Sequence, residues 1–207
     1  MTTVLILIPA AGAARRMRGR DKLLEDIDGE PALVRQVRRA LATGARVYVP
    51  LSQEHPQRAA ALAPIGSPAL LSETIDGRDG MSVSIRAAAR LAQSDNGDAA
   101  VDGLMILPAD MPELETDDLK AVIASFTQSP DRIHRGATAD GRPGHPVIFP
   151  RRLFPALDAL TGDEGARSVL TGQDVCLVAL PENHALTDLD TPEEWAAWSA
   201  ARCPGSG

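Results

Sequence analysis

The sequence predicts a single-domain α/β fold with a mainly parallel sheet, and three observations carry that expectation. Short apolar runs alternate with longer stretches of helical periodicity along the chain, the pattern of a sheet covered by helices. Two of the runs, Val4–Ile8 and Leu104–Leu107, are apolar without interruption, as strands buried on both faces must be. The 207 residues, 44% hydrophobic and 24% charged, suffice for one full core and argue against long disorder or several domains.

Taken in order, strands are expected at 3–8, 46–51, 69–72, 102–107, 133–138, 146–149 and 174–180. Helices are expected at 30–43, 53–63, 81–93, 116–127, 151–160, 163–171 and 192–202. Glu30-Pro31 opens the first helix and Thr116-Asp117-Asp118 a later one. Thr191-Pro192-Glu193-Glu194 combines a capping residue, a first-turn proline and acids at the positive end of a helix dipole. Arg132-Ile133-His134-Arg135 carries one apolar residue among charged and polar ones, which predicts an edge strand or one that lines a site. Trp195 and Trp198, three apart, are expected to pack the last helix onto the domain. The domain is expected to span 1–203, with Pro204–Gly207 a frayed tail.

Charge and cysteine content narrow the function classes. Lysine and arginine number 21 against 28 aspartates and glutamates, a formal net charge of −7, and no run of like charge stands out. That balance disfavours a nucleic-acid or membrane partner while leaving room for a local cationic pocket. Cys176 and Cys203 form neither a disulfide framework nor a zinc spacing, so a reducing, cytoplasmic compartment is expected. Val4–Ile8 is too short to span a bilayer, and the arginines follow it where a signal peptide would have them first. His55, His134 and His184 have no partner at metal-ligand spacing and are expected at the surface or lining a site.

The chemistry concentrates in a few segments. After the first strand comes Pro9-Ala10-Ala11-Gly12, then Arg16 and Lys22. Small residues let a backbone approach a triphosphate and present its amides, while Arg16 and Lys22 supply countercharge. The spacing is neither the Walker pattern nor the dinucleotide fingerprint, and a tight strand-to-helix turn with solvated arginines is the plain alternative. Lys22 is one of only two lysines in an arginine-using chain. Asp110 follows Leu104–Leu107 at the carboxyl end of a strand, where open α/β sheets place ligands, and is the first choice for a magnesium ligand. Asp188 and Asp190, in Thr187-Asp188-Leu189-Asp190-Thr191-Pro192, fall on one side of an extended segment and are further candidates, although Asp190 can equally cap a helix. Gly80, Ser82 and Ser84 at a helix start can present amides and hydroxyls to a base, or serve as caps. On glycine-punctuated segments, His145 can hold a phosphate or orient an acceptor and Arg167 can bind an anionic substrate; His145 can also be a turn residue and Asp163 a cap.

These strings together resemble a known family. Ala10-Ala11-Gly12-x-x-x-Arg16-Met17, with Lys22-Leu23-Leu24 and Gly29-Glu30-Pro31 after it, is similar to the signature of enzymes that transfer NMP from an NTP. Within them, Gly80-Met81-Ser82-x-Ser84-Ile85, Gly144-His145-Pro146 and Gly162-Asp163-x-Gly165-Ala166-Arg167 resemble the molybdenum cofactor cytidylyltransferase group over about residues 4–195. The family's usual glycine after the methionine is Arg18 here. The resemblance implies a Rossmann-like, GT-A-like three-layer sandwich and transfer of CMP from CTP to the terminal phosphate of molybdopterin, with Mg2+ as cofactor. It implies catalytic roles for Arg16, Lys22 and Asp110 and metal contacts from Asp110 with Asp188 or Asp190. It also implies nucleotide contacts from Ala10 to Gly12, Gly80, Ser82 and Ser84, acceptor contacts from His145, Asp163 and Arg167, and a molybdoenzyme or its chaperone as partner. The guanylyltransferase of the same pathway, using GTP, is the nearest alternative; by resemblance its loop has glycine where Ala11 stands. A sugar- or polyol-phosphate nucleotidyltransferase is a more distant alternative, suggested by Pro9 but opposed by His145 and the Gly162-Asp163-x-Gly165-Ala166-Arg167 string. A molybdopterin carrier without turnover is the non-enzymatic alternative, distinguished by the absence of pyrophosphate release.

Overall fold

The uninterrupted N-terminal apolar run forms β1 (Val4–Leu7), every residue of it buried, and the rest of the sheet assembles around it. The chain is described from a computed structural model covering residues 2–12, 15–76, 80–94, 100–162 and 165–202; Asp163 and the expected tail, Pro204–Gly207, lie outside these residues. A short hairpin of β2 (Asp26–Ile27) and β3 (Glu30–Pro31) leads into α1 (Ala32–Leu41). Then follow β4 (Arg46–Leu51), α2 (Pro56–Leu62), β5 (Leu70–Thr74), α3 (Met81–Ser94), β6 (Gly103–Ile106) and α4 (Thr116–Gln128). The C-terminal half adds β7 (Ile133–Ala137), β8 (Pro143–Pro150), α5 (Phe154–Asp158), α6 (Arg167–Leu170), β9 (Val175–Ala179) and α7 (Pro192–Arg202).

The sheet has seven strands in the order β5-β4-β1-β6-β8-β7-β9, with β8 antiparallel to both neighbours and every other pairing parallel. Alternation along β1 sorts its side chains into two cores. Val4 and Ile6 join Leu33 and Val37 of α1 and Leu119, Val122 and Phe126 of α4 on one face. Leu5 and Leu7 join Ile85, Ala88 and Ala92 of α3 and Phe154 and Leu157 of α5 on the other. The result is the expected three-layer, Rossmann-like α/β sandwich with a mostly parallel mixed sheet, and β1 and β6 lie centrally. No helix among the described residues is long and apolar enough to cross a membrane.

Several local expectations are corrected. The segment at 132–135 is not an edge: β7 lies between β8 and β9, and β9 is the outer strand, with Leu177 exposed. Its charge pattern misleads because His134 is fully buried yet satisfied. Ser125 Oγ lies 2.9 Å from Nδ1, and Nε2 donates to the Ser129 carbonyl at 3.0 Å. His184, expected at the surface or lining a site, is partly exposed, with its Nδ1 2.8 Å from Asp118. Glu30-Pro31 pairs in the β2–β3 hairpin rather than opening the helix, which begins at Ala32. Thr116-Asp117-Asp118 does open α4 as expected, with Glu115 before it in a reciprocal capping box with Asp118.

Candidate functional site

The loop after β1 is built in two short turns whose side chains converge with the distant acids. Ala10 and Ala11 are buried and Gly12 is exposed. Arg15–Met17 forms a 3-10 turn anchored by Met17, which packs with Ile27, Ala32, Leu189 and Trp195 in a small separate core. Arg18 stands where the family pattern has glycine and adopts φ 52, the left-handed region that glycine enters freely, followed by Gly19 at φ 88. A second 3-10 turn, Lys22–Leu24, is capped by Asp21, whose carboxylate accepts from the Leu23 N–H at 3.1 Å.

Lys22 Nζ donates to Asp110 and, at 2.8 Å, to Asp190 Oδ1, while Arg16 Nη1 reaches Asp190 Oδ2 at 2.8 Å. Arg16, Lys22, Asp110 and Asp190 thus form one cluster at the carboxyl end of the parallel strands. The Leu189 N–H donates to the Asp110 carbonyl at 3.0 Å, tying the two acidic segments together. Burial pulls the Lys22 pKa down, but the carboxylates of Asp110 and Asp190 outweigh it, and the net direction is upward. Asp190 does not spend its carboxylate on the helix. Thr191 Oγ1 accepts from the Glu194 N–H at 3.3 Å, and Glu194 accepts from the N–H groups of Asp190 and Thr191. Asp188 is held above the usual carboxylate range by burial, with Asp190, Asp110 and Glu194 adding to the effect.

This donor set suits a hard cation. A single ammonium bridges Asp110 and Asp190, so both carboxylates reach one point of positive charge, and magnesium commonly takes one or two carboxylates together with substrate phosphates. Among the described residues no three acidic, histidine or cysteine side chains are gathered as a ready ligand group.

Beside the cluster lies a cavity of about 470 Å³ whose wall includes Ile85, Ile106, Phe149, Arg135, His145 and Arg167. Arg135 Nε donates to the Gly144 carbonyl at 2.8 Å. Burial, and then the nearby Arg167, lower the Arg135 pKa, and among the described residues neither arginine makes an ion pair. His145 is held below the usual histidine value by burial and by Arg135, and its Nδ1 is buried without a hydrogen-bond partner. Its backbone position depends on two glycines. A Cβ on Gly136 would meet the His145 carbonyl oxygen at 2.4 Å, and one on Gly144 would meet the Ala185 oxygen at 1.8 Å. Gly80, at φ 79, precedes α3, on whose first turns Ser82 and Ser84 are buried.

The structure therefore brings together Arg16, Lys22, Asp110 and Asp190, with Asp188 close by, and gathers His145 and Arg167 at the adjoining cavity. Of the two expectations for the segment at 132–135, the site-lining one is met, since Arg135 borders the cavity, whereas Arg58 was singled out by no motif or spacing. A signal for Arg58 did exist: it lies four residues before Leu62, the other buried side chain of α2.

Comparison with known proteins bears on the family and the fold. The MobA-like NTP transferase domain family matches residues 6–177. Purine catabolism protein PucB of Bacillus subtilis (strain 168) is 31% identical over 195 residues, covering 90% of this chain and 91% of that protein. The crystal structure of Rv0371c from Mycobacterium tuberculosis H37Rv superposes with a TM-score of 0.76 at 23% identity, over 95% of this chain and 97% of that one. A structure of the same protein in complex with manganese gives 0.73 at 22% identity, over 95% and 97% of the respective chains. CMP:2-keto-3-deoxy-manno-octonic acid synthetase complexed with CTP gives 0.67 at 15% identity, over 98% and 100%. At these identities the structural likenesses concern the fold.

Proposed function

The chain belongs to the MobA-like NTP transferase family, and from that premise we propose that it transfers CMP from CTP to the terminal phosphate of a molybdopterin-type cofactor, releasing pyrophosphate. The observation that carries the reading is the convergence of Lys22 and Arg16 with Asp110 and Asp190 beside the cavity bearing Arg135, His145 and Arg167. A phosphate oxygen of the acceptor attacks the α-phosphorus of CTP, forming a new P–O bond as the bond to the bridging oxygen breaks and pyrophosphate departs with its electron pair. No protein nucleophile is required, so the protein's task is positioning and charge stabilisation.

In this reading Arg16 and Lys22 hold the triphosphate, and Gly80, Ser82 and Ser84 border the base. Arg135, His145, Asp163 and Arg167 seat the acceptor. Asp110, with Asp190 or Asp188, would hold a Mg2+ ion, which when bound supplies positive charge at the α-phosphate. Lys22 must then leave its two carboxylates for the triphosphate. The manganese complex of Rv0371c is in keeping with a divalent metal and the CTP complex of the synthetase with a nucleoside triphosphate, and a molybdoenzyme or its chaperone would receive the product.

The first test is thermal unfolding with ATP, CTP, GTP or UTP, each with and without Mg2+, since a ligand that binds only the native state must stabilise it. A CTP-selective, Mg2+-enhanced rise in Tm is expected, followed by pyrophosphate release when molybdopterin is supplied. A GTP-selective rise would replace the donor, and nucleotide binding without pyrophosphate release would favour a carrier.

A further inference from the structure

Arg58 is the largest side chain buried essentially completely, at 1% exposure, and four of its five N–H bonds are accounted for. From α2 its Nε and Nη2 donate to the two oxygens of Asp21 at 2.7 and 2.9 Å. Its Nη1 donates to the backbone carbonyls of Ala10 and Gly12 at 2.7 and 2.8 Å. One guanidinium therefore grips both ends of the loop after β1, at Ala10–Gly12 and at the cap of the turn that carries Lys22.

The consequence is electrostatic as well as mechanical. Backbone carbonyls facing a triphosphate would repel it; those of Ala10 and Gly12 are turned inward and neutralised by a cation. A trans peptide sets its N–H opposite its C=O, so the amide joining Ala10 to Ala11 turns its N–H away from Arg58. Asp21 uses its carboxylate twice, for the Arg58 fork and for the Leu23 N–H, so the orientation of the Lys22 turn is set by the same group that sets the carbonyls. A point charge such as lysine cannot span three acceptor groups in these fixed directions.

We propose that Arg58, acting through Asp21, is a positioning residue that shapes the loop for the β- and γ-phosphates of the nucleotide and registers Lys22 against them. It touches no substrate. The inference rests on the nucleotide-transferase reading and adds that triphosphate affinity is set from behind the loop.

The test measures CTP and CMP dissociation constants, with Mg2+, for the wild type, Arg58→Lys and Asp21→Asn, each checked for cooperative unfolding. CTP binding is expected to weaken about tenfold or more in Arg58→Lys and in the same direction in Asp21→Asn, with CMP binding changed less than about twofold. A merely structural role would lower Tm and leave the CTP-to-CMP affinity ratio in place. Folded variants that keep the wild-type ratio overturn the inference. Should Arg58→Lys fail to fold, Asp21→Asn decides it, because Asp21 is partly solvent-exposed and an asparagine there keeps one oxygen to accept from Arg58. A wild type that binds no nucleotide overturns the underlying reading, and this inference with it, and is distinguished by the absence of any wild-type affinity to compare.

Discussion

Lys22 is the residue on which the site turns, because its ammonium holds two carboxylates from segments 88 and 168 positions away. It pairs with both here, and in the proposed function its partner becomes a phosphate. Lys22→Ala should therefore weaken nucleotide binding by about 2 kcal/mol, the scale of a hydrogen bond to a charged group, as titration calorimetry would read it. The same substitution removes a competitor for cations, so Mn2+ binding without nucleotide, followed by electron paramagnetic resonance, should tighten. An unchanged Mn2+ affinity would place the metal elsewhere. Asp110→Asn should abolish metal-dependent turnover while the unfolding transition stays cooperative, and near wild-type kcat would remove Asp110 from the mechanism. Of these residues, Lys22 and Asp110 were legible from a loop and a strand end. The role of Arg58 was not, since it depends on backbone carbonyls and a carboxylate supplied by another segment.

At the scale of elements, α7 does more than close the chain. Trp195 packs on Met17, Ile27, Ala32 and Leu189, and its Nε1–H donates to the Leu189 carbonyl at 3.1 Å. Arg202 lies 4.5 Å over the Trp198 ring and pairs with Asp28 of the β2–β3 turn at 2.8 Å. The helix thus braces the turn that carries Arg16 and the segment that carries Asp190. Trp195→Ala should cost about 3–5 kcal/mol in urea unfolding and lower nucleotide affinity even where the protein remains folded. Normal affinity in the folded variant would show that α7 stabilises without shaping the site. The β7–β8 pair has a comparable dependence: Gly144→Ala should destabilise by about 1–3 kcal/mol, because the added methyl must push against the Ala185 backbone. A urea midpoint equal to the wild type's would mean that the loop yields freely. The helix α7 itself was readable from Thr191, Pro192 and Glu194, but its lodging against the first loop was not.

Across the whole molecule, the fully buried His134 and the half-buried His145 link stability to pH. Burial lowers the pKa of both His134 and His145 below 6.5. Above that value both rings are neutral in either state; below it the unfolded chain takes up protons that the folded protein refuses. Stability should therefore fall as pH drops from about 7.5 to about 5.5, and the urea midpoint of His134→Asn should fall less steeply than that of the wild type. Parallel slopes would show that His134 protonates as freely in the folded state as in the unfolded one. By itself the sequence determined the alternation of strands and helices, the central place of β1 and β6, and the family motifs, because each is written in local periodicity or in contiguous residues. Only the tertiary structure decided that β7 is interior, that Asp190 turns its carboxylate to Lys22 and Arg16 rather than to α7, and that Arg58 sits behind the loop. Those outcomes depend on which distant groups satisfy a buried charge or polar atom, and the hydrophobic pattern of one segment carries no record of its partner in another.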